Sequence, residues 1–225
     1  FKRESKFFMT NAEHSVTGFW DKNEHRRILV LTLPMILANV TTPLIGLVDT
    51  AVLGHMQGTH FLAGAAIGTL IITQIYWICG FIRMSVTGLS AQAKGRKDDT
   101  AGAKSLFQSM GLAFTIGVLM VLLQGPLLQI GVFLTEPNPL VKNALTDYFS
   151  IRIYGAPAAL INLAVIGWLI GQQKARFVMW VQIAANLLNV ALSVLFVFGF
   201  GWEIKGVALA SVLAELTICI LGVYL

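Results

Sequence analysis

The stretch "ILVLTLPMILANVTTPLIGLV", residues 28–48, decides the fold class because it runs for 21 residues without a charged side chain. A run of about 20 apolar residues is long enough to cross the hydrocarbon core of a bilayer as an α-helix. Asp49 and Thr50 follow directly, and then apolar sequence resumes. An ionisable side chain at membrane depth costs about 2.5–3.5 kcal/mol or more. Asp49 is therefore a candidate functional residue.

The rest of the chain also has the composition of a membrane protein. Of its 225 residues, 56% are hydrophobic and 12% are charged, whereas a soluble domain carries about 25% charged residues. The long apolar runs do not alternate like the ~10-residue strands of a membrane barrel. The sequence therefore predicts an all-α, polytopic membrane protein. Its non-Met first residue and its apolar end predict a piece of a longer protein.

Six transmembrane helices are predicted after an N-terminal segment over residues 1–27. Their ranges are about 28–53, 60–83, 101–124, 140–171, 176–199 and 205–225. The fourth contains Gly155 and Pro157 and is expected to kink or tilt there. Residues 84–100 are predicted to form a basic connection along the membrane surface, and residues 125–139 to form a second connection.

The distribution of lysine and arginine predicts the orientation in the membrane. Thirteen of the 16 fall before the first helix or in the connections after the second and fourth helices. Only Lys142 and Lys205 fall on the other side, and Arg152 lies inside the fourth helix. Because cytoplasmic loops carry an excess of these residues, the N-terminus and residue 225 are predicted to be cytoplasmic.

Polar residues recur at helical spacing on four of the predicted helices. Residues three or four apart share a helix face, and lipid offers polar groups no partners, so these stripes are expected to face protein or water. They comprise Asn39, Thr42, Gly46 and Asp49 on the first helix, Tyr148 and Arg152 on the fourth, Asn186, Asn189 and Ser193 on the fifth, and Ser211 and Glu215 on the sixth. For the small residues, ordinary helix packing is the alternative.

Five of these groups are predicted to share one layer in the outer half of the membrane. At 1.5 Å rise per residue, Asp49, Tyr148, Ser193 and Ser211 lie roughly 6–12 Å from the outer ends of their helices. Asn189 lies one turn deeper than Ser193. The layer predicts a buried polar site with one acid, which could bind and release a proton. Its oxygens could instead hold Na⁺, or Asp49 could be a static hydrogen-bonding group.

Two further charges, Arg152 and Glu215, are predicted at membrane depth. They could form a charge pair or a gate. The alternatives are snorkelling toward the interface or a local structural pair.

Several motifs resemble multidrug and toxic compound extrusion (MATE) transporters of the bacterial DinF type. They are "LPMILANVTTPLIGLVDTAVLGH" (33–55), "MSVTGLSAQAKG" (84–95), "IRIYGAPAALINLAVIGWLIGQQKAR" (151–176), "NLLNVALSVLF" (186–196) and "IKGVALASVLAE" (204–215). The resemblance implies a twelve-helix antiporter of the bacterial inner membrane, of which this chain is the N-terminal six-helix lobe, partnered by a C-terminal lobe. It implies export of toxic, mostly cationic and amphipathic drugs or metabolites as H⁺ or Na⁺ enters.

The resemblance also implies roles for single residues. Asp49 would be the protonation site, and Pro34 would be the point at which the first helix bends. Many relatives carry a second acid four residues after an asparagine of the fifth helix, but here Ser193 follows Asn189. A Na⁺ site favours more anionic oxygens, so H⁺ is the expected coupling ion. No other cofactor is expected.

Two other functions can be compared with the residue patterns. A flippase for lipid-linked substrates would share the apolar helices and a polar cavity, although a basic cavity would favour it and only Arg152 lies inside the membrane. A membrane-embedded enzyme would need paired acids, metal ligands or a Ser/His pair at depth, and the sequence offers none of these patterns. The basic clusters fit topology and anionic lipid better than nucleic acid.

Overall fold

The computed structural model describes residues 26, 29–30, 32–33, 36–37, 50–55 and 58–224. Within them the chain forms helices and no strand. Five helical segments are long and apolar enough to cross a membrane: Thr59–Gly95, Asp99–Leu122, Pro139–Gly171, Ala175–Gly199 and Glu203–Gly222. The predicted all-α membrane fold is confirmed. Most of the predicted first helix lies outside the described residues. The described part of it is helical and includes a continuous stretch over 50–54.

The first long segment consists of α1 (Thr59–Ile78) and α2 (Phe81–Gly95), separated by a turn at 79–80. The sequence predicted a helix end at residue 83 and a connection over 84–100, but α2 continues the helix to Gly95, so this boundary is wrong. Val86, Ser90 and Ala93 are buried, and their spacing of four and three residues puts them on one helix face. The Ser90 hydroxyl donates to the Trp168 carbonyl at 3.0 Å. Small side chains thus hold α2 inside the bundle despite its polar composition.

The second long segment, α3 (Asp99–Leu122), begins where the Asp98 carboxylate accepts the Ala101 amide at 2.9 Å. Such an N-cap satisfies one of the free amides at a helix start. The predicted connection over 125–139 is mostly helical, because α4 spans Gln124–Thr135. Pro126 falls in its first turn, where a missing amide is tolerated.

The third long segment is interrupted where Gly155 and Pro157 predicted a kink. Helix α5 (Pro139–Arg152) leads into a 3₁₀ turn (Ile153–Gly155) and then into α6 (Ala156–Gly171). Eleven of the 16 residues of α6 are buried, and α6 packs against α2, α3 and α8. It is therefore the central helix of the described bundle.

The last two segments are α7 (Ala175–Val194), which continues into a π-helical turn (Leu195–Gly199), and α8 (Glu203–Tyr224). They pack against each other, and α8 also packs against α5 and α6. This arrangement brings the polar faces of α5, α7 and α8 to one region of the interior.

Glycines allow close approach between several helix pairs. A Cβ at Gly64 would meet the Ala144 Cβ at 2.6 Å, and one at Gly68 would meet Tyr148 Cδ1 at 2.5 Å. Gly64 and Gly68 therefore serve close packing of α1 against α5. Close backbone approach suits a membrane bundle, because lipid is as apolar as the side chains and association depends on packing.

Candidate functional site

The candidate site is built around a hydrogen bond between α7 and α8. The Asn189 amide nitrogen donates to the Ser211 hydroxyl at 3.2 Å. Asn189 is 4% exposed, and Ser193, one turn along α7, is 0% exposed. The structure therefore brings together two of the polar groups that their helical spacing had placed in one layer, and it buries the third beside them.

The Asn189 side chain leaves one acceptor without a partner. Its Oδ1 is buried and accepts no hydrogen bond within the described part of the chain. Because an unpaired buried polar atom costs about 1–3 kcal/mol, this oxygen marks a place where a donor or a cation would be stabilised.

Tyr148 adds a hydroxyl from α5. It shares a hydrogen bond of 3.0 Å with the Thr69 hydroxyl of α1, and its side chain is 4% exposed. Thr69 was not among the site residues predicted from the sequence. The sequence pattern that could have indicated Thr69 is its spacing of seven residues from Tyr76. This spacing puts the two hydroxyl groups on one face of the helix, with Ala65.

The helical residues before α1 pack beside Tyr148. Val52 and Leu53 are buried in one apolar cluster with Tyr148, Val207 and Ala208. This cluster joins the chain at 50–54 to α5 and α8, next to the candidate site. Five predicted site residues lie outside the described residues: Pro34, Asn39, Thr42, Gly46 and Asp49.

One helical turn further along the chain from Tyr148 and Ser211, Arg152 and Glu215 face each other. The Arg152 guanidinium donates through Nη1 to Oε2 of Glu215 at 2.8 Å and through Nη2 to Oε1 at 2.5 Å. Each side chain is 15% exposed. The two charges that the sequence predicted at membrane depth thus form a bidentate ion pair between α5 and α8. The alternative, in which each side chain snorkels toward the interface, does not apply.

Neighbouring groups hold this ion pair in place. The Asn162 amide of α6 donates to the Glu215 backbone carbonyl at 2.9 Å. A Cβ at Gly155 would lie 2.4 Å from Glu215 Oε2. The glycine in the 3₁₀ turn therefore leaves room for the carboxylate, because it has no side chain. Asn186, another predicted residue, is partly buried on α7.

A second ion pair joins α5 to the first turn of α8. Lys205 Nζ lies 3.4 Å from Asp147 Oδ2, and the side chains are 56% and 49% exposed. Asp147 is therefore half-exposed.

A family model and two relatives of known sequence match most of this chain. A model of the MatE family matches residues 34–195. The chain is 40% identical over 192 residues to the DNA damage-inducible protein F of Escherichia coli K12, with 85% of this chain and 42% of the relative covered. It is 31% identical to a probable multidrug resistance protein NorM of Neisseria meningitidis, with 81% and 40% covered.

Solved structures share the fold. A transporter of the MOP superfamily from Pyrococcus furiosus superposes with a TM-score of 0.80 at 20% identity, over 88% of this chain and 44% of that one. The chain thus spans less than half the length of the proteins that it matches.

Proposed function

The chain belongs to the MatE family, and from this premise we propose that it forms the N-terminal half of a secondary transporter rather than an enzyme. The transporter exports toxic, mostly cationic and amphipathic small molecules across the bacterial inner membrane in exchange for H⁺. The N-terminus and residue 225 are cytoplasmic, and a C-terminal six-helix lobe completes the protein. Alternating access in such folds is a rocking of two repeats about a central site.

The coupling group is Asp49, held against Tyr148, Asn189, Ser193 and Ser211. The position of Val52 and Leu53 supports this assignment, since they are buried beside Tyr148. In the predicted first helix, Asp49 precedes them by three and four residues, a spacing that shares one helix face.

The unpartnered oxygen of Asn189 is the observation that supports Asp49 as the coupling group, whereas the choice of H⁺ over Na⁺ rests on Ser193, which leaves this layer with one acid. The nitrogen of this amide is engaged with Ser211, so only Oδ1 remains, and it can only accept. A protonated carboxyl offers one O–H donor, whereas a carboxylate offers none. The site thus favours a protonated Asp49, and ionisation of Asp49 would accompany the change of access.

The test uses energised inverted membrane vesicles that contain the full-length protein, a pH-sensitive dye and added cationic drugs. Asp49→Asn is expected to abolish drug-induced proton release, because the amide cannot titrate. Asp147→Asn is the matched control, since it removes an acid that is half-exposed and paired with Lys205. It is expected to leave proton release unchanged.

Two outcomes would contradict the proposal. Unchanged proton release in Asp49→Asn would make this acid structural. A response of the unmodified protein to Na⁺ and not to H⁺ would assign Na⁺ as the coupling ion.

A further inference from the structure

A groove opens on the bundle surface where α1 ends and α2 begins. It has a volume of about 840 Å³, and its walls include Trp77, Phe81, Arg83 and Met84 of this segment with Leu163 and Ile170 of α6. We call it the Arg83 groove. Trp77 is 81% exposed and Met84 is 79% exposed, so the described bundle leaves large apolar side chains of the walls uncovered. Thr73, Tyr76 and Thr87 add hydroxyl groups to the lining.

The turn between the two helices shapes this groove. Helix α1 ends at Ile78, and the Gly80 amide donates to the Trp77 carbonyl at 3.0 Å. The continuation as α2 therefore leaves Trp77 and Phe81 on either side of a break, and the groove follows the two helices past it.

Arg83 lies near the proposed cytoplasmic end of the bundle. A Cβ at Gly167 would meet the Arg83 carbonyl oxygen at 2.7 Å, so Arg83 is level with Gly167. Helix α6 ends at Gly171, which is about 6 Å further along at 1.5 Å per residue. Lys174 and Arg176 follow that end in the sequence. Along α2 itself, Arg83 precedes the helix end at Gly95 by 12 residues, about 18 Å at the same rise. Its backbone therefore lies in the cytoplasmic half of the proposed span, and its long side chain can extend toward the headgroups.

Arg83 has no counter-ion in the described part of the chain. The two ion pairs there involve Arg152 with Glu215 and Lys205 with Asp147. A guanidinium carries five N–H donors in a planar fork, and this fork matches phosphate oxygens bidentately. The charge and the geometry of Arg83 therefore suit a phosphate group.

We propose that the Arg83 groove binds an anionic phospholipid of the cytoplasmic leaflet. The phosphate group lies at Arg83, and an acyl chain lies along Trp77, Phe81 and Met84. The cytoplasmic leaflet is rich in anionic lipid, and basic pockets between transmembrane helices on this side bind such headgroups. A cationic drug is a poor fit, because the one charge among the described lining residues is positive.

The test is native mass spectrometry of the full-length protein, purified in detergent and supplied with equal phosphatidylglycerol and phosphatidylethanolamine. The unmodified protein is expected to retain phosphatidylglycerol preferentially. Arg83→Gln is expected to lower its retention about fivefold, since one cation near an anionic headgroup contributes about that factor. Arg96→Gln is the matched control, because Arg96 is exposed and lies outside the Arg83 groove, and no change is expected.

A second variant keeps the proposal testable if Arg83→Gln does not fold. Met84→Glu places an acid on an exposed wall of the Arg83 groove and is expected to reduce phosphatidylglycerol retention while leaving phosphatidylethanolamine unaffected. Equal retention of the two lipids would overturn the proposal, and so would an equal loss in Arg96→Gln. Absence of any retained lipid would overturn it by indicating that another part of the protein covers the groove.

Discussion

Glu215→Gln is expected to destabilise the helical bundle by about 3–5 kcal/mol, because it leaves the Arg152 guanidinium buried without a compensating charge. Both hydrogen bonds of the pair lie between α5 and α8, at 2.5 and 2.8 Å. Each side chain is only 15% exposed, so water cannot replace the lost carboxylate. Arg152→Gln is expected to have a similar effect, since it leaves the carboxylate unpaired.

Thermal unfolding of the purified protein in detergent measures this effect. Lys205→Gln is the matched control, because it breaks the exposed pair with Asp147 between the same two helices. Exposed pairs contribute about 0–1 kcal/mol, so its unfolding temperature is expected to stay close to that of the unmodified protein.

The double variant Arg152→Gln/Glu215→Gln measures the energetic coupling between the two side chains. It removes both charges together, so it is expected to be less destabilising than the sum of the single variants, as the coupling in a double-mutant cycle requires. Single variants that unfold at the control temperature would show that the pair contributes nothing to stability.

Gly117→Leu is expected to be the second strongly destabilising change, by about 1–3 kcal/mol or more. A Cβ at Gly117 of α3 would meet the Pro157 Cα at 2.4 Å and its nitrogen at 2.7 Å. These are backbone atoms of the central helix α6, which cannot rotate away as a side chain would. The two helices must separate, and the contacts between them are lost.

Gly111→Leu on the same helix is the matched control. A Cβ there meets nothing within 4 Å, and Gly111 is exposed. Because leucine is a better helix former than glycine, this variant is expected to unfold at the same temperature as the unmodified protein or higher. Equal unfolding temperatures for the two leucine variants would contradict the close contact between α3 and α6.

The sequence predicted part of the candidate site, because helical spacing is a local property. Asn189 and Ser211 lie on faces that lipid cannot satisfy, and the structure joins them at 3.2 Å. The same argument missed Thr69, whose partner Tyr148 is 79 residues away. A single threonine in an apolar helix often bonds its own backbone, so its side-chain partner is invisible until the helices are packed.

The boundaries of α2 could not be predicted for a related reason. Hydropathy predicts a connection where polar and basic residues accumulate, as they do over 84–100. Ser90 and Ala93 are small enough to fit against α6, where Gly171 would place a Cβ 2.6 Å from the Ser90 Cβ. Whether a weakly polar segment lies on the membrane or inside a bundle therefore depends on a partner helix that is distant in sequence.

The sequence by itself determined that this protein is an all-α membrane protein, which faces of its helices are polar, and where its fourth predicted helix is interrupted. These properties follow from the bilayer, which constrains each segment separately through length, hydropathy and backbone hydrogen bonding. Only the tertiary structure decided that Arg152 pairs with Glu215, 63 residues away, and that Arg83 lines a groove with no counter-ion among the described residues. These outcomes depend on how closely the helices cross, because backbone approach at small residues sets which side chains meet.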